Sequence, residues 1–198
     1  MIKAIIFDVG GVLVHNPWPA MRDHYTSHLN VDQERFQNAY DEIVEEWQKG
    51  SMPEKEFCEK MCKRLEIAMP ESEDVWKKGF LHAYKENDQV FELIRTLKLQ
   101  GFQIGLLSNT ETSVMEFLIE KKYEHFDVFV FSCDVGMVKP YTDIYLHTLQ
   151  KMGIKPSEAI FVDDKQENID GANAIGMKGI TFMNAKQLED TLNNLISS

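Results

Sequence analysis

The chain has 198 residues, 43% of them hydrophobic, with a formal net charge of -11. That length and apolar content suit one substantial core, or a core carrying a smaller insertion, and speak against a disordered chain. The acidic balance, with 21 basic residues that form no long block, speaks against a nucleic-acid backbone or an anionic membrane as partner and leaves a small anionic substrate open.

An apolar strand is expected over residues 2–7, and it runs straight into FDVGGV, an acidic residue followed by the glycine pair Gly10 and Gly11. No signal-peptide pattern precedes it, and no apolar run nears the roughly 18 residues that span a bilayer, so the expected location is cytoplasmic. From Pro17 to about Lys85 the spacing is helical: Phe36, Tyr40, Ile43, Val44 and Trp47, then Phe57, Met61 and Leu65, then Val75, Phe80 and Tyr84. Beyond about Asp88 short apolar runs at 102–107, 128–131, 160–162 and 180–182 alternate with helical stretches near 112–122, 141–152 and 168–175. Five continuous apolar strands joined by helices imply an α/β fold, a doubly wound, Rossmann-like parallel five-stranded sheet. The helical block then interrupts it as an inserted α-helical cap domain over 15–86, with the core formed by 1–14 and 87–198. Such an insertion lies at the carboxyl end of the first strand, the edge where open α/β sheets bind ligands.

Cys58, Cys62 and Cys133 are odd in number and scattered, so reduced thiols are expected rather than a disulfide framework. Cys58 with Cys62, and His24 with His28, share helical faces at i, i+4. Neither pair has further ligands at metal-site spacing, so ordinary helix positions are expected for both.

Four strand ends carry polar groups that converge on one side of such a sheet. They are Asp8 with Gly10 and Gly11; Ser108, Asn109 and Thr110; Lys139 before Pro140; and Asp163 with Asp164. Singly, each has an ordinary explanation as a turn, a helix cap or a solvated lysine. The adjacent Asp163 and Asp164 are harder to place without a compensating cation or donors, because like charges at a buried strand end repel. Together, carboxylates, a hydroxyl with backbone N–H groups and one lysine are the inventory for phosphoryl transfer to a carboxylate with a hard cation.

That order of motifs resembles the haloacid dehalogenase (HAD) superfamily of hydrolases, mostly phosphatases, over essentially the whole chain. FDVGGV matches the family's first motif at Asp8 and Val12 but places Gly10 where the second acid usually stands; Ser108, Lys139 and Asp164 match the remaining motifs. The resemblance implies that Asp8 attacks phosphorus and that Mg²⁺ is held by Asp8, the Gly10 carbonyl and Asp164. It implies that Ser108 and the Asn109 amide hold phosphoryl oxygens and that Lys139 offsets the acidic cluster, with Asp163 and Asn168 organising the metal loop. The implied partner is a small phosphate ester.

Gly10 cannot supply the usual proton, a contribution of about 10² to 10⁴ in rate. The alternatives are a phosphatase with a good leaving group or with a substitute acid such as His15, His24 or a cap carboxylate, a slow enzyme, or a binding module. A sugar 1-phosphate, whose anomeric oxygen leaves readily, fits the first, in the manner of bacterial glucose-1-phosphatase-type members; dehalogenation does not fit the acidic fourth motif. Trp18, Arg22, His24 and Trp47 are the candidate cap residues for facing the site; helical period does not say which of them point inward, and cap core is the expected place for most of the aromatics, Trp47 above all.

Overall fold

The computed structural model describes residues 1–70 and 75–196; residues 71–74 of the expected helical block lie outside the described residues. Five strands, β1 (Ala4–Phe7), β2 (Gln103–Ser108), β3 (Val128–Phe131), β4 (Ala159–Asp163) and β5 (Lys178–Thr181), form one sheet in the order β3-β2-β1-β4-β5. Every pairing is parallel. Parallel neighbours require crossovers, so the carboxyl ends of all five strands lie on one edge. The chain builds β2 and β3 on one side of β1 and then crosses to β4 and β5 on the other. The β1/β4 boundary is therefore the point where winding reverses and a crevice opens.

Among the described residues, the segment inserted after β1 holds α1 (Trp18–Leu29), α2 (Gln33–Asp41), α3 (Val44–Gln48), α4 (Glu54–Leu65) and α5 (Val75–Ala83), and a further helix precedes β2. Asp32 starts α2 by accepting hydrogen bonds from the backbone N–H groups of Glu34 and Arg35 at 2.8 and 3.1 Å. An aromatic centre holds the helices together. Trp47 stacks on Phe57 at 3.8 Å between ring centroids, and Tyr25 packs on Trp76 at 4.7 Å while its hydroxyl donates to the Trp76 carbonyl at 2.9 Å. Gly79 lets α5 approach α1, since a Cβ there would lie 2.2 Å from the Tyr25 ring. The chain enters and leaves this segment side by side: His15 N–H donates to Lys85 O at 2.9 Å, and Asn87 N–H to Leu13 O at 2.8 Å.

The remaining helices are α6 (Asp88–Leu99), α7 (Thr112–Glu120), α8 (Ser132–Val135), α9 (Thr142–Met152), α10 (Gln166–Ala174) and α11 (Ala185–Ile196). Side-chain alternation along the strands divides the core between the two faces of the sheet. Ile5, Phe7, Ile104, Leu106, Ile160 and Val162 pack with Val90 and Ile94 of α6 and Leu188 and Leu192 of α11. Ala4, Ile6, Leu107 and Phe161 pack with Ile144, Tyr145 and Leu149 of α9 and Ile169 of α10.

The boundaries differ from the apolar pattern where polar residues pair without showing it. β5 begins at Lys178 rather than 180, because Lys178 and Gly179 pair with Ile160 and Phe161 although neither is apolar. The absence of a Cβ at Gly179 admits α10, whose Ile169 methyl would otherwise stand 2.6 Å away. Among the described residues, no helix is long and apolar enough to cross a membrane.

Candidate active site

Asp8 stands one residue past β1 and extends its ladder, its backbone N–H donating to Val162 O at 2.9 Å. The chain then turns sharply: the N–H groups of Val12 and Val14 both reach Val9 O, at 3.3 and 2.9 Å. Gly11 adopts φ +85°, and a Cβ on it would fall 2.2 Å from a carboxylate oxygen of Asp164. This glycine is what allows the turn after β1 to lie against the turn after β4. Gly10 is different. A Cβ there would meet only the Pro17 ring, at 3.7 and 3.9 Å, so the position where an acid could stand is sterically open.

Lys139 reaches the site from the loop before α9 and is 4% exposed. Its ammonium donates to Asp8 Oδ1 at 2.6 Å, Asp163 Oδ2 at 2.7 Å and Leu107 O at 3.2 Å. Burial alone would push this lysine down, but Asp163 and Asp8 outweigh it and hold the ammonium above its ordinary value. Burial and the Asp163 charge push the Asp8 carboxyl up to about 7, against the opposing pull of Lys139. Asp163, fully buried, also accepts from the backbone N–H of Lys165 at 2.9 Å, and the Asn168 amide bridges both its oxygens at 3.0 Å. Asp163 is thereby saturated with donors and acts as an anchor for Lys139 and for the loop after β4.

Asp164 is the opposite case. Its Oδ1 is buried without a hydrogen-bond partner, and burial and then Asp163 raise its carboxyl above the usual range. Carboxylate oxygens of Asp8, Asp163 and Asp164 come within 4.8 Å of one another, the one such group of potential metal ligands among the described residues. Three carboxylates against one ammonium, with one oxygen buried and unpaired, make a donor set that fits a hard divalent cation. The Cys58–Cys62 and His24–His28 pairs assemble no such group among the described residues.

Ser108 ends β2 at 5% exposure. The side chain of Asn109 clamps the main chain of Lys139, accepting from its N–H at 2.8 Å and donating to its carbonyl at 2.9 Å. Thr110 is tied to Ser132, whose Oγ accepts from the Thr110 N–H at 2.8 Å. The loops after β2 and β3 are thus locked together, so Ser108 and Lys139 keep their spacing.

A cavity of about 350 Å³ lies between these loops and the inserted helices. Asp8, Gly10, Ser108, Asn109, Lys139, Asp164 and Asn168 all line it, whereas Asp163 lies behind it. Of the four cap candidates only Trp18 lines it. Trp47 is 4% exposed in the aromatic centre of the inserted helices, and His24 stacks with His28 and lies beside the tilted His82 ring. Neither His15 nor His24 lines the cavity, so neither is placed to replace the acid missing at Gly10. Among the described residues, the inserted helices contribute one carboxylate to its wall, Asp41. The sequence pattern did not single out Glu111, buried at 5% exposure, or Gln37, which also line it. Glu111 sits three residues past Ser108 on a strand-end loop, which is the signal that could have marked it.

A family model described as haloacid dehalogenase-like hydrolase matches residues 2–176. The chain is 29% identical over 180 residues to sesquiterpene phosphatase astK of Aspergillus oryzae, covering 90% of this chain and 88% of that one. It is 35% identical over 96 residues to pyrophosphatase PpaX of Bacillus cereus, a match that spans only 44% of that protein. A HAD family enzyme of Bacteroides thetaiotaomicron, solved in complex with magnesium and inorganic phosphate, shares the fold at a TM-score of 0.78 and 22% identity, over 93% of this chain and 96% of that one. With the model match spanning most of the chain and the motif residues gathered at one sheet edge, the chain belongs to the haloacid dehalogenase-like hydrolases.

Proposed function

We propose that the protein is a Mg²⁺-dependent phosphatase that splits a small phosphate monoester through an aspartyl-phosphate on Asp8. The carrying observation is the buried Lys139 joining Asp8 to Asp163 beside the unpaired oxygen of Asp164. A binding module has no need of that arrangement, which leaves negative charge uncompensated until a cation arrives. Asp8, the Gly10 carbonyl and Asp164 would hold the metal. Bound there, Mg²⁺ supplies charge neutralisation for the phosphoryl group. Asp8 attacks phosphorus, Ser108 and the Asn109 N–H orient the phosphoryl oxygens, and Lys139 keeps Asp8 ionised and oriented. The helices over 15–86 act as the cap that closes the cavity and excludes water from it.

The open position at Gly10 favours an ester whose alcohol leaves readily, and a sugar 1-phosphate meets that requirement. The acidic cluster disfavours dehalogenation, because a carboxylate substrate and a halide leaving group need no cation to screen them. The test is phosphate release from a panel of esters with and without Mg²⁺. Release that needs Mg²⁺ and drops by at least about 10³ in Asp8→Asn supports the proposal; unchanged release in that variant overturns it. A preference for sugar 6-phosphates over 1-phosphates would remove the leaving-group argument alone.

A further inference from the structure

The phosphoryl end of the cavity holds its positive charge on Lys139, already engaged by Asp8 and Asp163. The one other basic residue on the described wall is Lys165, exposed and adjacent to Asp164. Towards the inserted helices the wall changes character. Trp18 and Tyr40 pack at 4.5 Å, the Trp18 indole N–H donates to Gln37 at 3.2 Å, and Gln37 donates to Asp41 at the exposed mouth at 2.8 Å. Below them lies Glu111, buried on the loop that starts α7. The groups that interact electrostatically with Glu111 include Tyr25 of α1, Tyr40 of α2, Glu54 of α4 and Cys133 of α8. None of them is a cation.

We propose that the leaving alcohol of the substrate carries no second anionic group and offers a hydroxyl or ammonium donor to Glu111, which sets specificity. The inference rests on the phosphatase reading and refines it. A buried carboxylate without a counter-charge requires donors, and the ones Glu111 has are its own backbone N–H and the Thr110 hydroxyl. Burial, with Glu54 adding to it, consequently pushes its carboxyl up to about 7. A hydroxyl or ammonium entering the cavity would add a further donor to that carboxyl, which lines the wall. A second carboxylate or phosphate there would meet the buried Glu111, and Asp41 at the exposed mouth, with the engaged Lys139 and the exposed Lys165 beside Asp164 as the cations on the described wall; like charges so placed discriminate. The Trp18–Tyr40 pair offers the accompanying carbon skeleton an apolar surface.

The experiment compares kcat/KM for ethanolamine phosphate, glycerol 1-phosphate and phosphoglycolate, whose alcohols are cationic, neutral and anionic, in the wild type and in Glu111→Gln and Glu111→Lys. Acetyl phosphate, with almost nothing beyond its reactive bond, reports the phosphoryl end of the wild type. Each ratio is taken within one protein, so a change in overall rate cancels. The expected wild-type preference for the better of the first two over phosphoglycolate is on the order of 100-fold, shrinking in Glu111→Gln and reversing in Glu111→Lys. If Glu111→Lys does not fold, the Glu111→Gln ratio decides. Equal use of phosphoglycolate by the wild type, or a ratio unmoved by Glu111→Gln, overturns the inference while leaving the phosphatase reading in place. Failure of the wild type to split even acetyl phosphate with Mg²⁺ overturns both. A best substrate with ethanolamine locates an ammonium at Glu111, and one with glycerol a hydroxyl.

Discussion

Two neighbouring glycines in FDVGGV serve different purposes, and only one of them is irreplaceable. Gly11 holds a positive φ with Asp164 pressed against it, whereas Gly10 has free space on its Cβ side. Gly10→Asp is therefore expected to fold and to place an acid beside the leaving oxygen. For esters of ordinary alcohols its kcat should rise by about 10² relative to the wild type, with little change for nitrophenyl phosphate, whose leaving group needs no proton. Equal factors for both esters would show that the new carboxyl does not act as an acid. At the same scale, Asp8, Ser108 and Asp164 could be picked out because each stands at the end of an apolar strand, and Lys139 because it precedes a proline and a helix after the third. Glu111 carries only its place three residues past Ser108 as a mark, since the inserted helices that share its cavity lie far from it in sequence; Trp47 lies in the aromatic centre, as its apolar character suggested, and Trp18 at the cavity, a choice between the two that helical period does not make.

At the scale of elements, periodicity located the strands and most helices, because each buries one repeating face. It misjudged ends such as Lys178–Gly179, where backbone pairing continues without apolar side chains. Packing between elements followed rules that no window of sequence displays. Gly79 reads as a helix-weakening residue, yet it is the point where α5 meets the Tyr25 ring on α1. Replacing Gly79 with Ala adds a favourable helix former but forces these helices apart. The expected net outcome is a loss of about 1–3 kcal/mol in urea unfolding, with Tyr25 and Trp76 fluorescence altered. A gain in stability would mean that helix propensity outweighs the close approach.

For the molecule as a whole, charge buried between the sheet edge and the inserted helices links stability to pH and to metal. Asp8 and Glu111 are both pushed up to about 7 from ordinary values of 3.8 and 4.5. Each binds its proton more tightly folded than unfolded, so between about pH 4 and 7 their contribution to stability falls as pH rises. Glu111→Gln removes one of these groups. Relative to the wild type it should gain about 1–3 kcal/mol on going from pH 5 to pH 8 in EDTA, read as the difference in unfolding free energy. A variant that parallels the wild type across that range would show that Glu111 is not held protonated by the fold. Mg²⁺ should raise the melting temperature of the wild type at pH 8 in a concentration-dependent way, and Asp164→Asn should blunt the rise.

The sequence by itself determined the α/β class, the helical insertion after the first strand and the four polar strand ends, because alternation, period and order along the chain are local properties. Tertiary structure alone decided that Gly10 has room and Gly11 none, that Asp163 is an anchor while Asp164 keeps an unpaired oxygen, and that Glu111 shares the cavity with Asp8. Those outcomes depend on distances between segments far apart in the chain, and a residue's charge state and partners are set by what surrounds it in space.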